Sequence, residues 1–288
     1  MPAHDRKEHP LHGMHARLPK NFVLEERLER YADAIELKPT TYAGHWTEAC
    51  WPLGTHRADG VAAYREVRLD LGCGKGHFCA VSAAREPDVL FVGIDAEPIC
   101  IAYCAQKALE EGLRNMVLAP GTGEQVVRMF GEGEVSRIHL NFPTPYPRKK
   151  EADKRLVILE RLVEYRRILA PDGEVVLKTD SQPLRDFALT QFELAGYDLT
   201  WQTDDARADR PDDPVSEYEE RLSAQGACVY GIAATPGTDP GPVTQTAELS
   251  LVEYLPRDLT NLDYVPHGMQ GTVVNLRNRA LHQKMRKR

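Results

Sequence analysis

The stretch Val67–Phe78, VRLDLGCGKGHF, constrains this chain more than any other. Val67, Leu69 and Leu71 are apolar, and the run passes directly into Gly72, Gly74 and Gly76. That is the pattern of a buried strand entering a tight turn, and Phe78, Val81 and Ala84 then begin a helical spacing. Glycine is needed where the backbone adopts a positive φ or lies so close to a ligand that a Cβ would collide. A ligand at such a turn sits at the carboxyl edge of the strand, over the helix N-terminus.

The next unit narrows the ligand. Leu90–Asp95, LFVGID, is a second buried-strand run, and it ends on a carboxylate at about the twenty-residue spacing of a ribose-binding acid. Lys75 is followed by Gly76 and His77, so the Lys-Ser/Thr pair of a phosphate loop is absent. The loop GCGKG is also one residue shorter than the dinucleotide fingerprint. A nucleoside without a pyrophosphate, such as S-adenosylmethionine, suits this turn better than a dinucleotide; the alternative is a plain strand-turn-helix corner.

With 288 residues, 42% of them hydrophobic and 27% charged, the chain has the composition of a soluble globular protein and room for one large domain plus extensions, or two small ones. No apolar run approaches the roughly 20 residues needed to cross a bilayer. The N-terminal MPAHDRKEHPLHGMHARLPK lacks the apolar core of a signal peptide, so a cytoplasmic protein with no membrane partner is expected. The six cysteines form no C-x-x-C pair, and several lie in apolar runs, as reduced core residues do. Cys100 and Cys104, one helical turn apart, suit helix packing, with a metal as the alternative; no metal site is expected. Charge is unevenly spread. Arg257–Arg288 holds seven Lys/Arg against two Asp/Glu, which leaves the remainder of this −7 chain at −12. Arg148–Arg155 is a second concentration, with five basic and two acidic residues. Either segment can meet phosphates or simply be solvated surface.

Along the chain, residues 1–20 carry four histidines (His4, His9, His12, His15) among Pro and Gly, which reads as a disordered leader, with a metal-binding tract as the alternative. The spacing predicts an amphipathic helix over Phe22–Leu37, and Trp46 and Trp51 are expected to anchor an irregular Pro39–Gly60. Strands are then predicted at Val67–Leu71, Leu90–Asp95, Met116–Leu118, Arg137–Phe142, Glu174–Lys178, Tyr197–Thr203 and Ala227–Ala234. Helices are predicted at Pro98–Glu111, Leu156–Leu169 and Leu184–Ala195, with another after Gly121–Glu124. This alternation implies an α/β fold, a doubly wound and mostly parallel seven-stranded sheet. Pro236–Pro242 reads as a linker, and Thr244–Arg288 as an appendage of weak periodicity.

The fourth strand leads into NFPTPYPRKKEADKR, Asn141–Arg155. Three prolines in five residues neither continue a strand nor enter a helix, so they fix a stiff loop at the same carboxyl edge. A stiff backbone, the Tyr146 ring and flanking cations suit a nucleobase and its phosphates. The alternative is a proline-rich connection with a solvated basic surface.

LDLGCGKGHF, FVGID, HLNFPTPYPRKK, LKTD and SEYEERLSAQG, in this order, resemble the bacterial tRNA (guanine-N7)-methyltransferase family over roughly Pro39 to Ala234. PTTYAGHW is similar to that family's N-terminal segment. The resemblance implies a Rossmann-like methyltransferase unit at 39–235, a leader and helix at 1–38, and a linker with a basic extension at 236–288. It implies S-adenosylmethionine held by Asp70, Gly72, Gly74, Asp95, Thr122 and Asn141, with Asp95 on the ribose hydroxyls. It implies tRNA as partner, met by Tyr146, Arg148, Asp180, Ser216, Glu217, Tyr218 and Glu219, and a catalytic centre at Thr144 and Asp180. Monomer and homodimer stay equally open.

Several positions depart from the family pattern. Thr144 and Tyr146 stand in Pro-Thr-Pro-Tyr where the family reads P-D-P-W, so a carboxylate is replaced by a hydroxyl. Thr122 replaces an adenine-contacting Asp, and Arg148 replaces a Lys. Glu151-Ala152-Asp153 thins a basic stretch. Two other readings remain beside the first: a same-fold methyltransferase acting on another RNA or a small molecule, and a non-catalytic RNA-binding subunit.

Overall fold

The fold is described from a computed structural model covering residues 22–50, 52–54, 63–259, 262, 264–266 and 268–286. The histidine-bearing leader and the Trp51 anchor lie outside the described residues. Seven strands form one sheet: β1 (Glu66–Leu71), β2 (Val89–Asp95), β3 (Met116–Pro120), β4 (Val135–Asn141), β5 (Leu169–Thr179), β6 (Tyr197–Thr203) and β7 (Tyr230–Pro236). Their order is β3-β2-β1-β4-β5-β7-β6, and only the β7 pairings are antiparallel. The helices are α1 (Leu24–Arg30), α2 (Trp46–Ala49), α3 (His77–Arg85), α4 (Pro98–Glu110) and α5 (Val126–Met129), followed by α6 (Leu159–Ile168), α7 (Gln182–Leu194), α8 (Ala206–Asp209), α9 (Glu217–Ala224) and α10 (Gln270–Arg286).

Period-two alternation on the central strands separates two cores. Val67, Leu69 and Leu71 of β1 join Trp46, Leu162 and Phe187 on one face. Phe91, Met116 and Leu118 join Ile101, Ala105 and Cys79 on the other. The chain runs outward from β1 to β3 and returns to β4, so the crevice between β1 and β4 is the topological switch point where such sheets bind ligands.

Several elements differ from their sequence-based expectation, each for a tertiary reason. The Phe22–Leu37 helix stops at Arg30. A 3-10 turn follows at Ala32–Ala34, and Ile35 then bridges to Leu118 while Glu36 N donates to Leu118 O at 2.7 Å. This segment covers the exposed edge of β3, whose backbone groups would otherwise lack a partner. The Leu156–Leu169 helix begins only at Leu159, because extended Ile158 is its cap and Leu159 N donates to the buried Gln191 Oε1 at 2.9 Å. Leu156 instead packs toward Gly72 and Gly123, where an added Cβ would lie 3.7 and 2.7 Å from its methyls. At the far end Leu169 already pairs with Val135, so β5 starts before Pro171–Gly173 and accommodates them at a register shift.

The last strand begins at Tyr230 rather than Ala227, and SEYEERLSA, unassigned from sequence, is α9. The appendage carries a 3-10 turn at Leu251–Tyr254 and the 17-residue α10. Leu251 and Met269 belong to the main core, and Val273 is fully buried.

Candidate functional site

Gly72, Gly74 and Gly76 at the carboxyl end of β1 have φ of +79°, +54° and +76°, which explains three glycines in five residues. Gly76 also abuts Cys104 of α4, so a side chain there would collide. A Cβ at Gly74 would meet nothing within 4 Å; the turn is open on that side. Gly72 N and Cys73 N donate to Ile94 O at 2.8 and 3.1 Å, tying the turn to β2.

Two carboxylates flank this turn. Asp95 accepts from Gly74 N at 2.9 Å and from Glu97 N at 2.8 Å, one bond to each oxygen. Burial raises its pKa against these hydrogen bonds. Asp70 is 1% exposed; its Oδ1 accepts from Asn141 Nδ2 at 3.3 Å, and its Oδ2 has no hydrogen-bond partner. Burial pushes Asp70 from 3.8 to about 7, resisted by the Asn141 hydrogen bond and aided by the charge of Asp95. A buried carboxylate with an orphaned oxygen is costly unless a donor completes it. Asn141 therefore meets Asp70 across the switch point. Thr122 is exposed beside Gly121, whose N–H donates to Asp95 O at 3.0 Å.

The proline loop leaves β4 under strain. Phe142 and Tyr146 have φ of +51° and +43°, values that bulky residues hold only when their surroundings over-determine them. Phe142 N donates to Lys178 O at 2.7 Å. Tyr146 is held through its carbonyl by Arg155, whose Nη2 donates to it at 2.7 Å. Arg155 also donates to Pro145 O (3.0 Å) and Leu249 O (2.8 Å), and its guanidinium stacks 4.5 Å from the Phe187 ring centre. It is 1% exposed, so this cation belongs to the interior and not to the basic surface that sequence suggested. Thr144 and Arg148 are exposed on the loop, and Arg148 pairs loosely with Glu151 at 3.9 Å.

Asp180, 6% exposed, follows β5 at the same edge, and its Oδ2 accepts from Tyr264 Oη at 2.6 Å. Tyr218 packs edge-on against Phe142 with ring centres 5.3 Å apart, and burial together with the Asp180 charge raises its phenol pKa. The rest of the SEYE run divides its duties. Ser216 Oγ caps α9 by accepting from Glu219 N at 3.0 Å. Glu217 points to Lys107, 3.7 Å away. Glu219 is 1% exposed and lies 3.6 Å from Arg207. The edge thus brings together Asp70, Asp95 and Asn141 at the glycine turn, and Asp180, Tyr218 and the proline loop beside it.

Sequence reasoning missed Arg155 as an interior clamp, and it missed Tyr264 and α10 at this edge. Only the tyrosine-proline setting near Tyr264 is local, and it carries no sign of a distant carboxylate. Among the described residues no cluster of three His, Cys, Asp or Glu is placed to hold a metal, and no helix is long and apolar enough to cross a membrane.

Comparison with known proteins is consistent with this edge. The family model described as "Putative methyltransferase" matches residues 64–232. The tRNA (guanine-N(7)-)-methyltransferase of Geobacillus kaustophilus (strain HTA426) is 33% identical over 207 residues, 72% of this chain and 90% of that protein. The protein of the same description from Geobacillus thermodenitrificans (strain NG80-2) is 35% identical over 72% of this chain and 91% of its own length. Among solved structures, the 16S rRNA methyltransferase KamB is 17% identical with a TM-score of 0.49, covering 60% of this chain and 89% of that one, a likeness too loose to speak to substrate.

Proposed function

Because this chain belongs to the tRNA (guanine-N(7)-)-methyltransferase family, we propose that it transfers the methyl group of S-adenosylmethionine to N7 of a guanine in tRNA. The observation that carries the reading is the pairing, at one switch-point edge, of the orphaned Asp70 carboxylate beside an open glycine turn with the Asp180–Tyr218–proline-loop cluster. The turn fits the donor: Gly74 leaves room for it, and Asp70 Oδ2 lacks the hydrogen-bond donor that a cationic ligand bearing an ammonium group brings. Asp95 keeps lone pairs beyond its two backbone bonds for ribose hydroxyls, Thr122 offers a hydroxyl acceptor to the adenine amine, and Asn141 orients Asp70.

S-adenosylmethionine, when bound, supplies a methyl group on an electrophilic sulfonium. Guanine N7 has a free lone pair at neutral pH, so the protein has no proton to remove there. What remains is to hold N7 in line, and orientation alone is worth a large share of the barrier. Tyr146 and Tyr218 offer faces to a base, and Arg148 offers a cation to its phosphate. Asp180 accepts from the guanine N1–H and amino group, contacts that strengthen as positive charge spreads over the purine. With Thr144 in place of a carboxylate, Asp180 carries this electrostatic work with less help. Thr144, together with the acidic Glu151 and Asp153, is also what favours the second reading, a same-fold methyltransferase acting on another RNA or a small molecule.

Asp180→Asn keeps the shape and removes the charge. It should lower kcat on tRNA by roughly 10²-fold or more, the scale of one preorganised electrostatic partner, while S-adenosylmethionine affinity measured by calorimetry stays the same. Methyl transfer at the parent rate would remove Asp180 from the reacting site and put the second reading first.

A further inference from the structure

The C-terminal extension lies outside the residues matched by the family model, yet it reaches the candidate site. Gly268, at φ +81°, comes so close to the proline loop that a Cβ would sit 3.2 Å from the Pro145 ring. Met269 Sδ accepts from Ser181 Oγ at 3.5 Å, next to Asp180, and Met269 and Val273 are fully buried. The start of α10 is therefore locked into the core, which fixes the face it turns toward the loop. Gly271, Asn275 and Arg279 recur every four residues on that face, with Thr272 and Leu276 beside them.

Between this face and the loop runs a groove of about 510 Å³, walled on the loop side by Thr144, Tyr146 and Arg148. That volume suits a single nucleotide. Its cations come from two separate parts of the chain, Arg148 from the loop and Arg279 from α10, while Tyr146 supplies an aromatic ring and Asn275 an amide. α10 contains no Asp or Glu, and among the described residues that line the groove the one acid, Glu151, lies 3.9 Å from Arg148. A ring to stack on, a base-reading amide and two guanidinium groups are the recognition set for single-stranded nucleic acid.

We infer that α10 and the proline loop together hold one nucleotide of the RNA strand adjacent to the methylated guanosine, with Arg148 and Arg279 on its phosphates. This rests on the tRNA reading above and adds a wall of the binding site that the family-matched region does not contain. It also gives the basic extension a defined role, with Arg279 acting at one phosphate instead of through diffuse attraction.

Truncating the extension would strip Met269 and Val273 from the core, so the test uses the full chain carrying Arg279→Ala or Arg279→Lys; Arg279 is exposed and the fold does not depend on it. Filter binding to an unmodified tRNA transcript, repeated across salt concentrations, should show about tenfold weaker affinity for Arg279→Ala. The slope of log K against log salt should be shallower by about one, with Arg279→Lys recovering the slope. Unchanged affinity and slope in Arg279→Ala would overturn the groove. Methylation of the same transcript by the parent protein is scored separately. Product with an unchanged slope sinks the groove alone, whereas a lowered slope without 7-methylguanosine sinks the proposed chemistry and leaves the groove.

Discussion

Replacing Arg155 by Met tests how the strained loop is held. The guanidinium donates to three carbonyls, those of Pro145, Tyr146 and Leu249, at 3.0, 2.7 and 2.8 Å in their shortest contacts. Each buried acceptor left without a donor costs about 1–3 kcal/mol. Release of the strain held in the φ of Tyr146, about 1–3 kcal/mol for such a residue, returns part of that loss. Against the remainder stands relief from burying a cation, the same burial that pulls Arg155 from 12.5 down to about 10. An unpaired buried ion carries a penalty of several kcal/mol, so most of the gross loss is offset. Met also keeps an apolar contact with Phe187. The net expectation is about 2–4 kcal/mol of lost stability, read from urea midpoints with m unchanged. A functional split should accompany it. The KM for tRNA should rise several-fold, because the loop bearing Tyr146 and Arg148 loosens. S-adenosylmethionine affinity should hold, since Asp70 and Asp95 stand on β1 and β2. A loss under about 1 kcal/mol, or cofactor affinity falling together with tRNA affinity, would refute the clamp.

Three further outcomes follow from the same edge. Asp70 has a folded pKa of about 7 against an ordinary 3.8, so the folded state binds the proton more tightly. Its contribution to stability is complete below about pH 4 and is lost as pH rises to 7, on the order of 4 kcal/mol at most. Urea midpoints of Asp70→Asn should therefore lack the decline that the parent shows across that window, and parallel pH profiles would contradict the assignment. Asp95→Ala should weaken S-adenosylmethionine by about 1.5–3 kcal/mol in calorimetry, the scale of hydrogen bonds to a charged group, and an unchanged Kd in a folded variant would remove it from the site. Tyr264→Phe deletes the phenol that donates to Asp180 Oδ2 and competes there with guanine; the tRNA KM should fall several-fold at constant kcat, while a lower kcat would instead make that phenol part of the reacting environment.

What was legible in sequence is what local chemistry encodes. The Val67–Gly76 turn reads directly because alternation, positive φ and close packing each leave a mark on residue type. The same holds for the alternating strands and helices that set the doubly wound sheet, and for the irregular proline run Pro143–Pro147 that ends β4. Resemblance located Asp180 and Tyr218, which the fold then sets beside each other. What failed was decided by distant partners. Leu156 has the spacing of a helical residue, but it is claimed by the glycines at 72 and 123. Arg155 looks like one more surface cation until three carbonyls, one from the extension, converge on it. α10 shows weak periodicity because only Met269 and Val273 are buried at its start, while Gly271, Asn275 and Arg279 line the groove and Arg277 donates to Leu259 O. The helix expected over Phe22–Leu37 broke because the edge of β3 bonds the backbone of Ile35–Glu36 instead.

The central claim, methyl transfer to guanine N7 in tRNA, is tested most directly by one product analysis. Full-length protein is incubated with unmodified tRNA transcript and methyl-labelled S-adenosylmethionine, and the RNA is digested to nucleosides and resolved by chromatography and mass. The expected result is label in 7-methylguanosine, lost in Asp180→Asn. Label in any other nucleoside, or none in a protein that binds both tRNA and S-adenosylmethionine, would contradict it.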